Sequence, residues 1–289
     1  MNLKLEREKI SHFIKCGLFV LSAILIAGVG IYAKNRMDAK ASGASQVTGR
    51  SAIHNSGKKL PIYCVDSKEK KVALSFDAAW GNEDTADLLK ILKEYDVHVT
   101  FFMTGGWVSS YPDDVKAIAK AGHDLGNHSE NHKQMSQLSA KECEEELMSV
   151  HDKVKELTGV EMQLFRPPYG DYNDTLIETA NNCGYHVIQW DVDSLDWKDY
   201  GVDSIISTVV NHKHLGNGSI ILCHNGAKFT KDALPALIEG IQKQGYTIVP
   251  ISQLIYQDNY EMDHEGRQHT KDGSSPSQSA TPEPTKEAR

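Results

Sequence analysis

No CxxC pair, no surplus of positive charge in the central part and no second long apolar run occur in these 289 residues, and each lack removes a class of protein. The five cysteines (Cys16, Cys64, Cys143, Cys183 and Cys223) are scattered. That spacing indicates neither a zinc ribbon nor a thioredoxin-like site, so the four outside the apolar run read as buried thiols, with pairing in an oxidising compartment left open. Residues 59–256 hold 18 Lys/Arg against 29 Asp/Glu, whereas residues 1–58 hold nine against three. An acidic body repels phosphates, which argues against a nucleic-acid partner, and no protein partner can be inferred.

What is present begins with the one apolar run. Residues 16–33, CGLFVLSAILIAGVGIYA, are 18 uncharged positions behind a short basic segment, residues 1–15. At about 1.5 Å per residue they just reach across a hydrocarbon layer of roughly 30 Å, so a transmembrane helix or signal anchor is expected. No amphipathic stripe marks it as a core helix. Ala39-Lys40-Ala41 resembles a signal-peptidase site, which would give a secreted form if cut. Lysines and arginines flank the run on both sides, so charge alone does not orient it. Residues 34–58, rich in Ala, Ser and Gly, read as a flexible linker.

From residue 59 to 256 the pattern alternates. Seven apolar runs of strand length (Val72 to Phe76, Val97 to Met103, His123 to Gly126, Gln163 to Phe165, His186 to Trp190, Ser219 to Cys223 and Thr247 to Val249) are separated by six segments of helical period. Strand and helix in alternation predict an α/β domain with a parallel sheet, and about seven strands suggest a (β/α) barrel. Residues 257–289 turn polar and end SSPSQSATPEPTKEAR, which predicts a disordered tail.

In such barrels chemistry gathers where strands end. Those positions carry Asp77, His128 and His132, Arg166, Asp193 and Asp196, and His224. His128 and His132, four apart, would share one face if Ser129 opens a helical turn, and two imidazoles can grip a divalent ion; exposed loop histidines are the plain alternative. Asp77 closes the apolar strand VALSF, where a carboxylate is costly unless paired or catalytic. Arg166, pinned by Pro167 and Pro168, suits an ion pair with such a carboxylate. His224 beside an aspartate is a means of donating a proton near neutral pH. Trp197 could be core or could wall an apolar pocket.

Taken in order, SFDAAWG, HSENH, RPPYG, DSLDW and LCH resemble the five motifs of the polysaccharide deacetylase family, also called carbohydrate esterase family 4 or NodB-type, over about Lys71 to Ile255. Trp80-Gly81 on an anchored chain is most similar to its sporulation-associated and peptidoglycan-acting members. The resemblance implies a distorted (β/α) barrel and a metal-dependent N-deacetylase acting on an N-acetylated polysaccharide, peptidoglycan first, outside the cytoplasm. It implies Asp77 as general base held by Arg166, and His128 and His132 as ligands of one divalent ion, zinc first. His224 would be the general acid oriented by Asp196, Leu222 and Trp197 the acetyl pocket, and the Tyr169 N–H the oxyanion donor. One position departs: Ala78 stands where the family has a second, metal-ligating aspartate. The third ligand is then expected from Asn82, Glu83 or Asp84 in the next loop, with Asp77 or water as alternatives. A silent carbohydrate-binding module on the same fold is the reading that Ala78 favours.

Overall fold

The computed structural model describes residues 58–271. The expected transmembrane helix and nearly all of the linker lie outside these residues; among the described residues no helix is long and apolar enough to cross a membrane. In chain order come β1 (Cys64–Val65), β2 (Lys71–Ala78), α1 (Thr85–Glu94), β3 (Thr100–Met103), α2 (Gly105–Ser110), α3 (Pro112–Lys120) and β4 (Asp124–Asn127). There follow α4 (Ala140–Thr158), β5 (Leu164–Phe165), α5 (Asp174–Asn182), β6 (His186–Val187), β7 (Val192–Asp193) and α6 (Val202–Val210). The last are β8 (Ile220–His224), α7 (Thr230–Lys243), β9 (Thr247–Val249), α8 (Ile251–Leu254), β10 (Tyr260–Met262) and β11 (Arg267–Thr270).

Seven parallel strands run in the order β6-β5-β4-β3-β2-β8-β7, and β9 pairs with the start of β2 off that path. The sheet is a half-barrel: among the described residues no ladder joins β6 to β7. Ile62 bridges Ile188 just beyond β6, and Cys64 bridges Ser219 just ahead of β8, so the segment leading into β1 occupies the gap. All seven strands read from the sequence are present. The unforeseen one in the sheet, β7, is two residues long, too short to show a period.

Strand alternation divides the core in two. Val72, Leu74, Phe76 and Ala78 of β2 face the helices and join the larger apolar cluster with Leu88, Trp107 and Leu147. Ala73 faces inward, in a smaller cluster with Phe102, Leu164 and Ile220, and Ser75 and Asp77 share its side of the strand. The longest helix among the described residues, α4, shows the helical counterpart. Ser139 and Glu142 form a reciprocal capping box at its start, Gly159 closes it at φ 75°, and Cys143, Leu147, Val150 and Val154 form its buried stripe.

The predicted disordered tail is corrected at its beginning. β10 and β11 lie within it, antiparallel to each other, and β11 runs parallel to β1. Composition missed this because few apolar residues mark the segment: Tyr260 and Met262 pack against the smaller core cluster, and polar groups supply the rest of the hold. Gln268 is fully buried, accepting from the Tyr256 N–H and donating to the Tyr256 carbonyl, each at 2.9 Å. His269 bridges the Asp66 and Asp263 carboxylates at 3.1 and 3.0 Å. Cys64, Cys143, Cys183 and Cys223 are free thiols.

Candidate active site

Asp77 and His224 are register partners on the adjacent strands β2 and β8, so both project from one side of the sheet at its C-terminal edge. Arg166 enters from the end of β5, fully buried, and donates from Nη1 to Asp77 Oδ1 at 2.7 Å and from Nη2 to Ser75 Oγ at 2.9 Å. Its guanidinium lies 4.1 Å from the Phe102 ring centroid, and the Gln189 carbonyl accepts a further bond at 3.3 Å. Burial alone would raise the Asp77 carboxyl, but the Arg166 guanidinium, by charge and hydrogen bond, together with the nearby imidazole of His224 outweighs it and holds the group below the usual carboxylate range. Asp77 is therefore an ionised base at neutral pH. Ser75 was not singled out from the sequence, although its place two residues before Asp77 puts it on the same strand face.

The His128–His132 segment is a loop, and Ser129 opens no helical turn. Ser129 and His132 both adopt positive φ, 65° and 53°. Non-glycine residues hold such angles only where their surroundings impose them, and here the bracing is extensive. Asn127 Oδ1 accepts the Ser129 N–H, Ser129 Oγ accepts the His132 N–H, and the carbonyls of Ser129 and Glu130 accept the first two N–H groups of α2. From α4, the buried Glu146 accepts the Asn131 N–H and side-chain amide, each at 2.8 Å, and pairs with Lys133 at 2.7 Å. Lys153 pairs with Glu130. The result still brings the two imidazoles together, with ring centroids 4.9 Å apart.

His128 Nδ1 lies 2.7 Å from the Arg166 carbonyl. A carbonyl only accepts, so Nδ1 carries the proton and Nε2 keeps its lone pair, 3.6 Å from Asp77 Oδ2. Burial lowers the pKa of His128, and burial together with His128 lowers that of His132 to about 4. Both rings are neutral, the form that ligates metal. His132 Nδ1 is buried with no hydrogen-bond partner among the described residues.

The loop expected to supply a third ligand has its polar groups engaged with other partners. Asn82 Nδ2 donates to Asp114 at 2.7 Å, Glu83 Oε2 accepts the Asn82 N–H at 3.0 Å, and both oxygens of Asp84 accept the Gly226 N–H at 2.9 and 3.0 Å. This loop folds against α3 and the turn after β8. Ala78 is fully buried among the apolar residues facing the helices, on the side of β2 opposite Asp77. Among the described residues no three His, Cys, Asp or Glu side chains converge closely enough to enclose a metal ion. The chemistry of the donor set suits a divalent ion on two neutral imidazoles, with the Asp77 carboxylate 3.6 Å from His128 Nε2, and forms no closed cage.

The acid side is fully wired. Asp196 is buried; its Oδ1 accepts from His224 Nδ1 at 2.7 Å, and its Oδ2 accepts from the His224 N–H and from Thr230 Oγ1, each at 2.7 Å. Burial works against a charged ring, but the hydrogen bond and charge of Asp196 prevail and raise the pKa of His224 above its ordinary value. Nε2 is the ring nitrogen left for a substrate. Thr230, at the start of α7, has no sequence signal that separates it from other helix-start threonines.

Leu222 is buried opposite Ser75, two residues before His224 on the same face of β8. Tyr169 sits at φ 61° in the turn after Arg166, and that turn's two hydrogen bonds, from the N–H groups of Gly170 and Asp171, leave the Tyr169 N–H unused. Trp197 is 56% exposed, an open rim rather than an enclosed wall. Asp193 accepts the Leu195 N–H at 2.8 Å, a loop-shaping role.

Comparison with known proteins now bears on this geometry. The family model for polysaccharide deacetylase matches residues 65–188. A peptidoglycan-N-acetylglucosamine deacetylase of Bacillus cereus is 36% identical over 66% of this chain and 91% of its own length. The chain belongs to the polysaccharide deacetylase family. The peptidoglycan-N-acetylmuramic acid deacetylase PdaC of Bacillus subtilis is also 36% identical over 66% of this chain, which spans only 40% of that longer protein. Among solved structures, a CE4 family pseudoenzyme from Bacillus anthracis superposes with a TM-score of 0.65 at 32% identity, covering 72% of this chain and 70% of the other.

Proposed function

We propose that this polysaccharide deacetylase family member is a hydrolase that removes N-acetyl groups from a cell-wall glycan, with peptidoglycan the first substrate. Residues 16–33 would anchor it in a membrane with the catalytic domain on the non-cytoplasmic side, or release it there if cut. The observation that carries the reading is the register pairing of Asp77 with His224, each fixed by its own buried partner, Arg166 and Asp196. A residual fold would have no need to keep a buried guanidinium and a buried carboxylate aimed at two groups of opposite protonation.

In this mechanism Asp77, ionised, takes a proton from the water that attacks the acetamide carbon. Arg166 and Ser75 keep the carboxylate in place through that transfer. The unused Tyr169 N–H donates to the oxygen that gains negative charge. His224, held as imidazolium by Asp196, delivers a proton from Nε2 to the departing amine, which leaves poorly as an anion. Leu222 would receive the acetyl methyl. A divalent ion, zinc first, held by His128 and His132, would polarise the carbonyl and make the water more acidic when bound.

A second reading, a silent carbohydrate-binding module, is favoured by Ala78 and by the kinship with a CE4 pseudoenzyme, a mutant of which is described as having restored enzymatic activity. Incubating the full-length chain with zinc and an N-acetylated glycan oligomer and measuring acetate separates the two. An enzyme releases acetate in step with added zinc; a binding module retains the oligomer and releases none.

A further inference from the structure

Two short turns lie beside His132: Met135–Gln137, just after it in the chain, and Pro168–Gly170, whose Tyr169 ring centroid is 4.6 Å from that of the imidazole. The second turn is strained. Tyr169 and Gly170 both take positive φ, 61° and 67°. The Tyr169 ring is 65% exposed, so burial of that side chain does not impose the angle. A non-glycine residue stays in the left-handed region only where its surroundings hold it, and the hold must come from the segments on either side.

Before the turn, Arg166 is locked to Asp77 and Ser75, and Pro167 and Pro168 restrict the backbone. After it, the hold comes from one serine. Ser136 turns its N–H, its hydroxyl and its carbonyl toward the segment that follows Tyr169. The N–H and the hydroxyl donate to Asp171 Oδ2 at 3.3 and 2.5 Å, and the carbonyl accepts from Asn173 Nδ2 at 2.8 Å. Ser136 is itself anchored by its neighbour: Met135 is fully buried in the larger apolar cluster, and its carbonyl accepts from the Cys143 thiol of α4 at 3.5 Å. Asn173 is fixed in turn as the cap of α5, accepting the Leu176 N–H at 2.8 Å. The strained turn is thus tied through Asp171 and Ser136 to the core beneath α4.

We propose that Asp171 and Ser136 are positioning residues for the reaction, a clamp that keeps the turn in the conformation where the Tyr169 N–H is free to receive the oxygen that gains negative charge. The inference rests on the deacetylase reading and adds to it two residues that act through the backbone of Tyr169. Its consequence is selective. A displaced N–H forfeits its bond to the transition state while the glycan chain binds as before, so kcat suffers and KM does not.

The test follows turnover and binding together, using the full-length chain with zinc and an N-acetylglucosamine tetramer. Asp171→Ala should lower kcat roughly 10- to 100-fold, short of the full worth of an oxyanion donor, with KM unchanged. Affinity for a tetramer carrying a tetrahedral methylphosphonamidate in place of the reacting acetamide should fall by the same factor. Asp171→Asn keeps an oxygen for the Ser136 hydroxyl and should recover most of the loss, and Ser136→Ala, which removes one of the three bonds, should cost less than Asp171→Ala. By NMR, the contact between the Tyr169 and His132 rings should weaken in Asp171→Ala and persist in Asp171→Asn. An unchanged kcat, a rise in KM alone, an Asn variant no better than the Ala variant, or a ring contact that Asp171→Ala leaves intact overturns the proposal. An unsubstituted chain that releases no acetate counts against the deacetylase reading, and the ring contact then judges the clamp separately.

Discussion

The two sides of the cleft are finished to different degrees. On the acid side, both oxygens of Asp196 are engaged, by the His224 ring, the His224 N–H and Thr230. On the histidine side, His132 Nδ1 is buried without a partner among the described residues, Ala78 faces the helices, and the loop from Asn82 to Asp84 is bonded elsewhere. A buried nitrogen left unpaired costs about 1–3 kcal/mol. The contrast teaches that the proton-transfer groups are fixed by direct side-chain partners, whereas the histidine side is fixed through its backbone and keeps its rings open to a ligand. The bracing of its loop by Glu146 and Lys153 shows that the incompleteness is not slackness.

The sharpest challenge to that contrast is His224→Ala. It should lower turnover roughly 10²- to 10⁴-fold, the usual worth of a placed acid, with zinc affinity unchanged in a metal titration. An equal loss of zinc affinity would mean the two sides are one unit.

Next in size is Glu146→Ala, which frees the Asn131 N–H and lets His132 move. Zinc affinity should fall roughly 10- to 100-fold, as for other residues that orient metal ligands from behind. The His224 ring, followed by NMR, should titrate as before. A shift in that titration would show that the bracing reaches the acid side.

The smallest effect expected is in pH dependence. Asp196 raises the pKa of His224, so the protonated acid survives to higher pH than an ordinary histidine. Asp196→Asn should move the alkaline limb of the kcat/KM profile to lower pH, with the acid limb unmoved. The sign for stability follows: the pair stabilises the fold fully below the unfolded histidine value, about 6.5, and that contribution fades as pH rises through the raised folded value. A profile unchanged by Asp196→Asn removes the orienting role.

Much of the barrel was legible because buried parallel strands and amphipathic helices write their periods into the chain. β7 was not, at two residues, and neither was the β10–β11 hairpin, whose order comes from Gln268, His269 and backbone pairing with β1. The site residues were legible as titratable groups ending apolar runs. Their partners were less so: Ser75 sat in the strand period unnoticed, and Glu146 read as one more acid on a charged helix.

By itself, then, the sequence determined which strands exist, where they end and which ionisable residues stand at those ends, since local period and polarity decide these things residue by residue. Only the tertiary structure decided that Ser75 and Glu146 brace the site from behind, that Ala78 turns to the helices, and that the loop after it bonds to α3 and the turn after β8. Those outcomes depend on which faces and loops pack together. Packing is a property of the whole sheet and the elements laid against it, and no stretch of chain carries it alone.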